Sequence, residues 1–246
     1  MNVFANLGEM NNTGMDANLE YNDKFGNVGL RLFGNITYSK NKIIYADAPL
    51  RKYVYQAETG KRFGEYKSYV ATGYFVGNEE IANPPEQKFN PVFPGDVRHK
   101  NLNATDDKVI DVFDETYLGK SWFPRWLYGA GFGLSYKNFD LSIFFQGVGD
   151  VGIMANGSGI DWPGAGSRGA GVIPFSGFGL YPNNTMSIVE DRWTPENPRQ
   201  DTYYPRLTMA NSSDNNYLNS THGLKDGAYT RLKQASIRYN MKTPKV

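Results

Sequence analysis

The feature that most constrains this chain is a two-residue alternation of apolar and polar side chains, recurring in pairs of runs joined by short turns. In 126–137, Trp126, Tyr128, Ala130, Phe132, Leu134 and Tyr136 share one face, with Leu127, Gly129, Gly131, Gly133, Ser135 and Lys137 opposite. In 139–147, Phe139, Leu141, Ile143 and Phe145 oppose Asp140, Ser142, Phe144 and Gln146. Only Lys137-Asn138-Phe139-Asp140 joins the two runs, which predicts a tight hairpin. A second pair lies earlier. Ala17, Leu19 and Tyr21 alternate with Asp16, Asn18 and Glu20; beyond a turn at 22–27, Val28, Leu30, Leu32, Ile36 and Tyr38 face away from Gly29, Arg31, Phe33, Asn35 and Thr37. A weaker strand is expected at 228–240, where Ala235, Ile237 and Tyr239 alternate but Arg231 and Lys233 break the apolar face. A short first strand is expected around Val3–Met10.

Each strong run approximates the 9–11 residues that carry a tilted strand across a bilayer. Aromatic residues at the run ends, Trp126, Tyr136 and Tyr38, fall where an interfacial girdle sits. No window approaches the roughly 18 apolar residues of a membrane helix, so any crossing is by strands. A soluble sandwich alternates too, but its connections are short. Here very short turns (22–27, 137–139) alternate with very long connections (41–125, 149–227), the asymmetry of outer-membrane barrels. Short turns face the periplasm in such barrels, so the two long loops are expected to be extracellular. Five or six strands cannot close a barrel, which needs about eight. The expectation is therefore all-β: a partial antiparallel transmembrane β-barrel with long extracellular loops.

Composition narrows the function classes. The 26 basic and 25 acidic side chains nearly cancel, without the basic excess that neutralises phosphates, so no nucleic acid is expected as partner. The chain has no cysteine, which removes disulfides and thiolate metal sites. Its first residues lack the charged and apolar regions of a signal peptide.

Read in order, short blocks of the sequence resemble the SusC/RagA family of TonB-dependent outer-membrane transporters. The blocks are 6–16, 33–43, Gly73-Tyr74-Phe75-Val76-Gly77 and Pro94-Gly95-Asp96-Val97, then Tyr128-Gly129 and the hairpin 136–147. Asp191-Arg192-Trp193-Thr194-Pro195-Glu196-Asn197-Pro198, Tyr204-Pro205-Arg206-Leu207 and 227–233 complete the series. Each block is weak by itself, but together they keep the family's order along nearly the whole chain. The resemblance implies a barrel of about 22 strands around a plugged lumen, with residues 1–246 as one part of it, truncated at both ends. The family's plug domain, its TonB-interacting segment and its final strands have no counterpart in the chain.

That resemblance implies a location in the cell outer membrane, in contact with its lipid. It implies import of glycans or peptides, an oligosaccharide or peptide ligand, a SusD-like lipoprotein partner and the TonB complex acting through the missing plug. No enzyme activity and no cofactor are implied. Aromatic faces stack on sugars, so Trp122, Phe123, Trp162, Tyr181, Tyr203 and Tyr204 are the candidate ligand contacts, with Asn183, Asn184, Asn215 and Asn216 as polar neighbours. Loop packing or lid contact is the plainer role for each. Trp193 belongs to a block whose two prolines suit it to fixing loop geometry. The alternative function is a soluble or surface-anchored β-rich glycan-binding module without transport.

Other motifs fail on context. Gly164-x-Gly166-x-x-Gly169 has no strand before it and no helix after it, so it is not read as a dinucleotide site. Residues 101–111 stand where the family carries a calcium-loop-like motif, but both glycines are gone and two residues are inserted. His99 and His222 lack a third partner. No metal is expected, and no pair of carboxylates stands out as a general acid and base.

Overall fold

The computed structural model describes residues 7–89, 91–155, 187–207 and 215–241. Its strands, in chain order, are β1 (Gly8–Phe25), β2 (Val28–Ala46), β3 (Glu65–Ser68), β4 (Ala71–Tyr74), β5 (Glu86–Gln87), β6 (Val97–His99) and β7 (Val109–Ile110). They continue with β8 (Thr116–Ser121), β9 (Trp126–Tyr136), β10 (Phe139–Gly149), β11 (Gly152–Met154), β12 (Leu224–Asp226) and β13 (Tyr229–Tyr239). A single short α-helix, α1, spans Asn78–Ala82 among the described residues. The all-β expectation holds.

Five of these strands make one antiparallel sheet in the order β1-β2-β9-β10-β13, each neighbour next in line along the chain. This up-and-down order is what a barrel wall requires. The register aligns the alternating faces from strand to strand. Leu32 of β2 lies opposite Tyr21 of β1 and Phe132 of β9, and Phe132 lies opposite Ile143 of β10, which pairs with Ala235 of β13. One row below, Leu30, Leu134, Leu141 and Ile237 are in register. A continuous apolar stripe thus crosses all five strands, and it is exposed: Leu19 is 78% accessible, Leu32 44% and Ile237 79%.

Aromatic side chains bound the stripe at both ends. Tyr38 and Trp126 meet at 4.4 Å on the loop end, and Phe139 and Tyr239 at 4.8 Å on the turn end. From Trp126 to Tyr136 the strand rises about 33 Å, roughly 25 Å of height at the tilt usual in membrane barrels. That matches the hydrocarbon band of an outer membrane.

The opposite face is polar and lined with glycine. Gly129, Gly131 and Gly133 of β9 leave room for Phe33 and Phe144, which stack at 5.8 Å and 15° between planes. Around them lie Arg31, Asn35, Asp140, Ser142 and Gln146. A polar inner face against an apolar outer face is the arrangement of a water- or plug-filled lumen.

Two strands depart from the sequence expectation. The region read as a short first strand plus a run at 15–21 is one strand, Gly8–Phe25, paired with β2 up to Ala46. Its upper half, above the aromatic row at Tyr38, lacks alternation and is exposed on both faces. The register of β10 with β13 shifts between Phe144 and Phe145, so that Lys233 is left without a partner. This bulge returns Leu232 to the apolar stripe opposite Phe145 and puts Arg231 opposite Gln146 on the polar face. The interruption at Arg231 and Lys233 is a bulge, not the end of a strand.

The two long connections fold together beyond the loop end of the sheet. They contain β3 to β8, β11, β12 and the buried residues Ile110, Met154, Tyr74, Val97 and Trp193. Their described residues are not structureless.

Candidate functional site

Short turns and paired strand ends bring four of the separated sequence blocks into one packed knot. Phe75 N–H donates to Asp96 O at 3.0 Å and Gly95 N–H to Phe75 O at 2.7 Å, joining the block at 73–77 to that at 94–97. Arg206 N–H donates to Gly95 O at 2.9 Å, Trp193 N–H to Tyr204 O at 3.0 Å and Tyr204 N–H to Asp191 O at 3.1 Å. The Trp193 indole lies over Gly95, whose φ of +89° suits only a residue without a side chain. A Cβ there would sit 2.2 Å from the ring.

At the centre, the Asp96 carboxylate is 1% exposed and accepts from Arg206 Nε at 2.9 Å and Arg206 Nη2 at 3.2 Å. It also accepts from Asn216 Nδ2 at 2.8 Å and from Phe93 N–H at 2.8 Å. A buried carboxylate is tolerable only when paired and fully bonded, and this one is. The knot is a scaffold that holds the two long loops, and Trp193 acts in it as packing.

The candidate contact residues separate on this scaffold. Trp162 and Tyr181 lie outside the described residues, as do Asn183, Asn184 and the glycines at 164–169. Tyr204 is buried in the knot, and Tyr203 is half-buried with Lys225 Nζ 4.7 Å above its ring. Asn215 and Asn216 are buried, their amides bonded to Val97 and Asp96. Trp122 and Phe123 stand apart from these, at the junction of the long loop and the wall, where their rings pack over Gly64.

That junction forms a cleft of about 450 Å³ walled by Phe63, Phe123, Pro124 and Leu127. Phe63 and Phe123 stack at 5.8 Å, and Trp122 reaches back to Tyr66 at 5.6 Å. Ser39, Asn41 and Leu127 continue the polar inner face of the sheet, so the cleft opens on the lumen side. Phe63 was not legible as a contact from the sequence; the adjoining Gly64, at φ +74°, is the one local hint that an aromatic cluster closes there.

Behind the cleft, Asp150 gathers three cations. Arg125 lies at 2.9 Å, Arg62 at 3.3 Å and Lys120 at 3.5 Å from its carboxylate. Arg62 is 7% exposed and also donates to Phe123 O at 3.1 Å. Asp150 directly follows β10 and Arg125 directly precedes β9, so the cluster staples both loops to the wall.

A second cleft, about 990 Å³, lies beside α1 and includes His99 in its lining. His99 is buried between Tyr69 and Phe89. Burial drives its pKa down to about 4, and burial does the same for His222, which packs edge-on to Tyr74. Burial also raises Glu115 above the ordinary carboxylate range.

In 101–111 the carboxylates are already engaged. Asp107 accepts from Val109 N–H and Asn103 Nδ2, Asp106 from Tyr53 Oη, and Asp111 and Asp114 form a reciprocal capping box. Among the described residues no three acidic or histidine side chains converge as a metal site.

No protein-family model matches the chain. Over 256 residues it is 27% identical to the TonB-dependent receptor P26 of Formosa agariphila, an alignment covering 98% of this chain and 23% of that receptor. The chain therefore spans about a quarter of the length of the curated relative it matches. The fold is similar to that of the RagAB peptide transporter, with TM-score 0.62 and 19% identity over 95% of this chain and 23% of that one. The RagAB peptide importer in its open-open state gives TM-score 0.61 and 18% identity over 94% and 22%. These matches bear out the resemblance to a fragment of a SusC/RagA-type TonB-dependent transporter that the sequence blocks carry.

Proposed function

We propose that this chain forms a sector of the wall and outer mouth of a TonB-dependent importer in a bacterial outer membrane. The observation that carries this is the apolar stripe. It runs in register through five strands, is bounded by aromatic rows, and has the height of a bilayer core. In water such a surface would be a large exposed apolar patch of the kind soluble proteins cover. In lipid it is the favourable outer face of a barrel, with the polar, glycine-lined face turned to the lumen. A soluble binding module has no use for it.

On this reading the long loops lie outside the cell, and the knot around Asp96 and Trp193 holds them in one arrangement at the mouth. A SusD-like lipoprotein would close over that surface, and the TonB complex would act through a plug elsewhere in the assembled importer. The imported ligand is a glycan or a peptide. The names of the relatives support transport, and the inward-facing cleft at Phe63 and Phe123 supports a ligand contact at the rim of the lumen. Trp122 and Phe123 are the proposed contacts among the described residues; Tyr203 and Tyr204 serve the scaffold.

Fractionation of cells producing the assembled importer tests the location. Recovery with the outer membrane, resistant to high-salt and carbonate washing, is expected. Recovery as a soluble secreted or periplasmic protein would contradict the reading.

A further inference from the structure

The charge balance at the loop junction is uneven. Arg62, Lys120 and Arg125 converge on the single carboxylate of Asp150. The nearby Glu65 is engaged by two backbone donors, Arg62 N–H at 3.1 Å and Gly119 N–H at 2.7 Å. Counting both carboxylates, the group retains one positive charge. It is also short of acceptors: Arg125 Nε is buried and has no hydrogen-bond partner among the described residues. The cleft alongside has Arg62 as its one charged lining residue among the described residues, and no carboxylate. Phe63 and Phe123, both well exposed, line it.

A nearly buried guanidinium beside two accessible, stacked rings selects for a particular chemistry. Loss of water strengthens attraction to an anion, and the rings favour a flat or apolar flank next to it. A neutral ligand would gain only the ring contacts. We infer that this cleft binds a carboxylate group of the imported ligand, with Arg62 as its charge partner and Phe63 and Phe123 as its walls. The inference rests on the importer reading and adds the charge of the ligand to it.

Calorimetric titration of the purified, assembled importer tests this with two matched pairs of probes. One pair is an aspartate-containing tetrapeptide and its asparagine counterpart, both acetylated at the N-terminus and amidated at the C-terminus; the other is a short oligogalacturonate and its methyl ester. At low salt, the charged member of at least one pair is expected to bind about tenfold more tightly than its neutral partner. Which pair responds tells whether the carboxylate comes from a peptide or a sugar. The preference should shrink as salt is raised to about 0.5 M, an observation on the unmodified protein that does not depend on any variant folding. Arg62→Gln should abolish the preference, Arg62→Lys should keep part of it, and Phe63→Ala should weaken both members alike. Equal affinity within both pairs at low salt, absence of binding by all four probes, or a preference that survives Arg62→Gln would overturn the inference. Neutral members that bind as well as charged ones would leave the importer reading standing; that reading falls only if the wall itself proves not to face lipid.

Discussion

Phe33 and Phe144 stack at 5.8 Å across the position of Gly131, although they sit on strands that do not pair with each other. Both are in register with Gly131, and the missing side chain is what lets the rings meet. A Cβ at Gly131 would lie 2.6 Å from Phe33 Cζ and 2.5 Å from the Ile143 carbonyl oxygen. Gly131→Ala is therefore expected to destabilise the wall by about 1–3 kcal/mol. Gly133→Ala, whose Cβ would find its nearest neighbour at 3.6 Å, should change stability by no more than about 0.5 kcal/mol. Urea unfolding of the two variants in detergent, followed by mobility on gels, compares them directly.

The long loops depend on Gly95 in the same way. Its backbone conformation disfavours any other residue, and its Cβ position is filled by Trp193. Gly95→Ala is expected to loosen the knot and speed proteolytic cleavage of the long loops at least several-fold, while the strands of the wall stay protected. Equal protection of the loops in the variant would contradict the scaffold role given to Trp193.

Asp150→Asn would leave Arg62, Lys120 and Arg125 without the carboxylate they share. Removing one partner of a largely buried ion cluster typically costs about 3–5 kcal/mol, and partial exposure of Lys120 and Arg125 places this case at the low end. Thermal melting of the loops should fall, and the loss should be smaller at high salt.

The two buried histidines set a pH dependence. Each ring has a folded pKa of about 4, against an ordinary value of 6.5, because burial disfavours the charged form. Between those values the unfolded chain binds more protons than the fold does, so stability falls as pH drops from about 6.5 to about 4 and then levels off. The combined loss is on the order of a few kcal/mol. Loop melting measured between pH 7.5 and 4 should show it, and His99→Phe should flatten part of the slope. A melting temperature that rises on acidification through that window would be the opposite sign.

How much of this was legible in the sequence varies by element. Residues 28–38 and 126–147 show their strands plainly because one face is apolar and the other polar. Above Tyr38 the alternation fades while the pairing goes on to Ala46. In β13 the bulge at Lys233 resets the period, and a reading at strict period two puts Leu232 on the wrong face. The scaffold was visible only as separate blocks. Asp96 and Arg206 are 110 residues apart, and no local pattern announces that they meet. Trp122 and Phe123 could be named from their chemistry, whereas Phe63 could not, because its partnership with Phe123 is a product of the fold.

The central claim is that the stripe faces lipid, and within these residues no native cysteine competes with an introduced label. Single cysteines at Leu32, Leu134 and Ile143, and at Arg31, Ser135 and Ser142, would carry nitroxide labels in the assembled importer in lipid vesicles. Collision rates with oxygen and with a water-soluble nickel complex then report the surroundings of each label. The account predicts high oxygen and low nickel accessibility at the first three positions and the reverse at the second three, switching with every residue along the strand. Labels at Leu32, Leu134 and Ile143 that collide freely with the nickel complex would show that the stripe meets water and that this sheet is not a membrane wall.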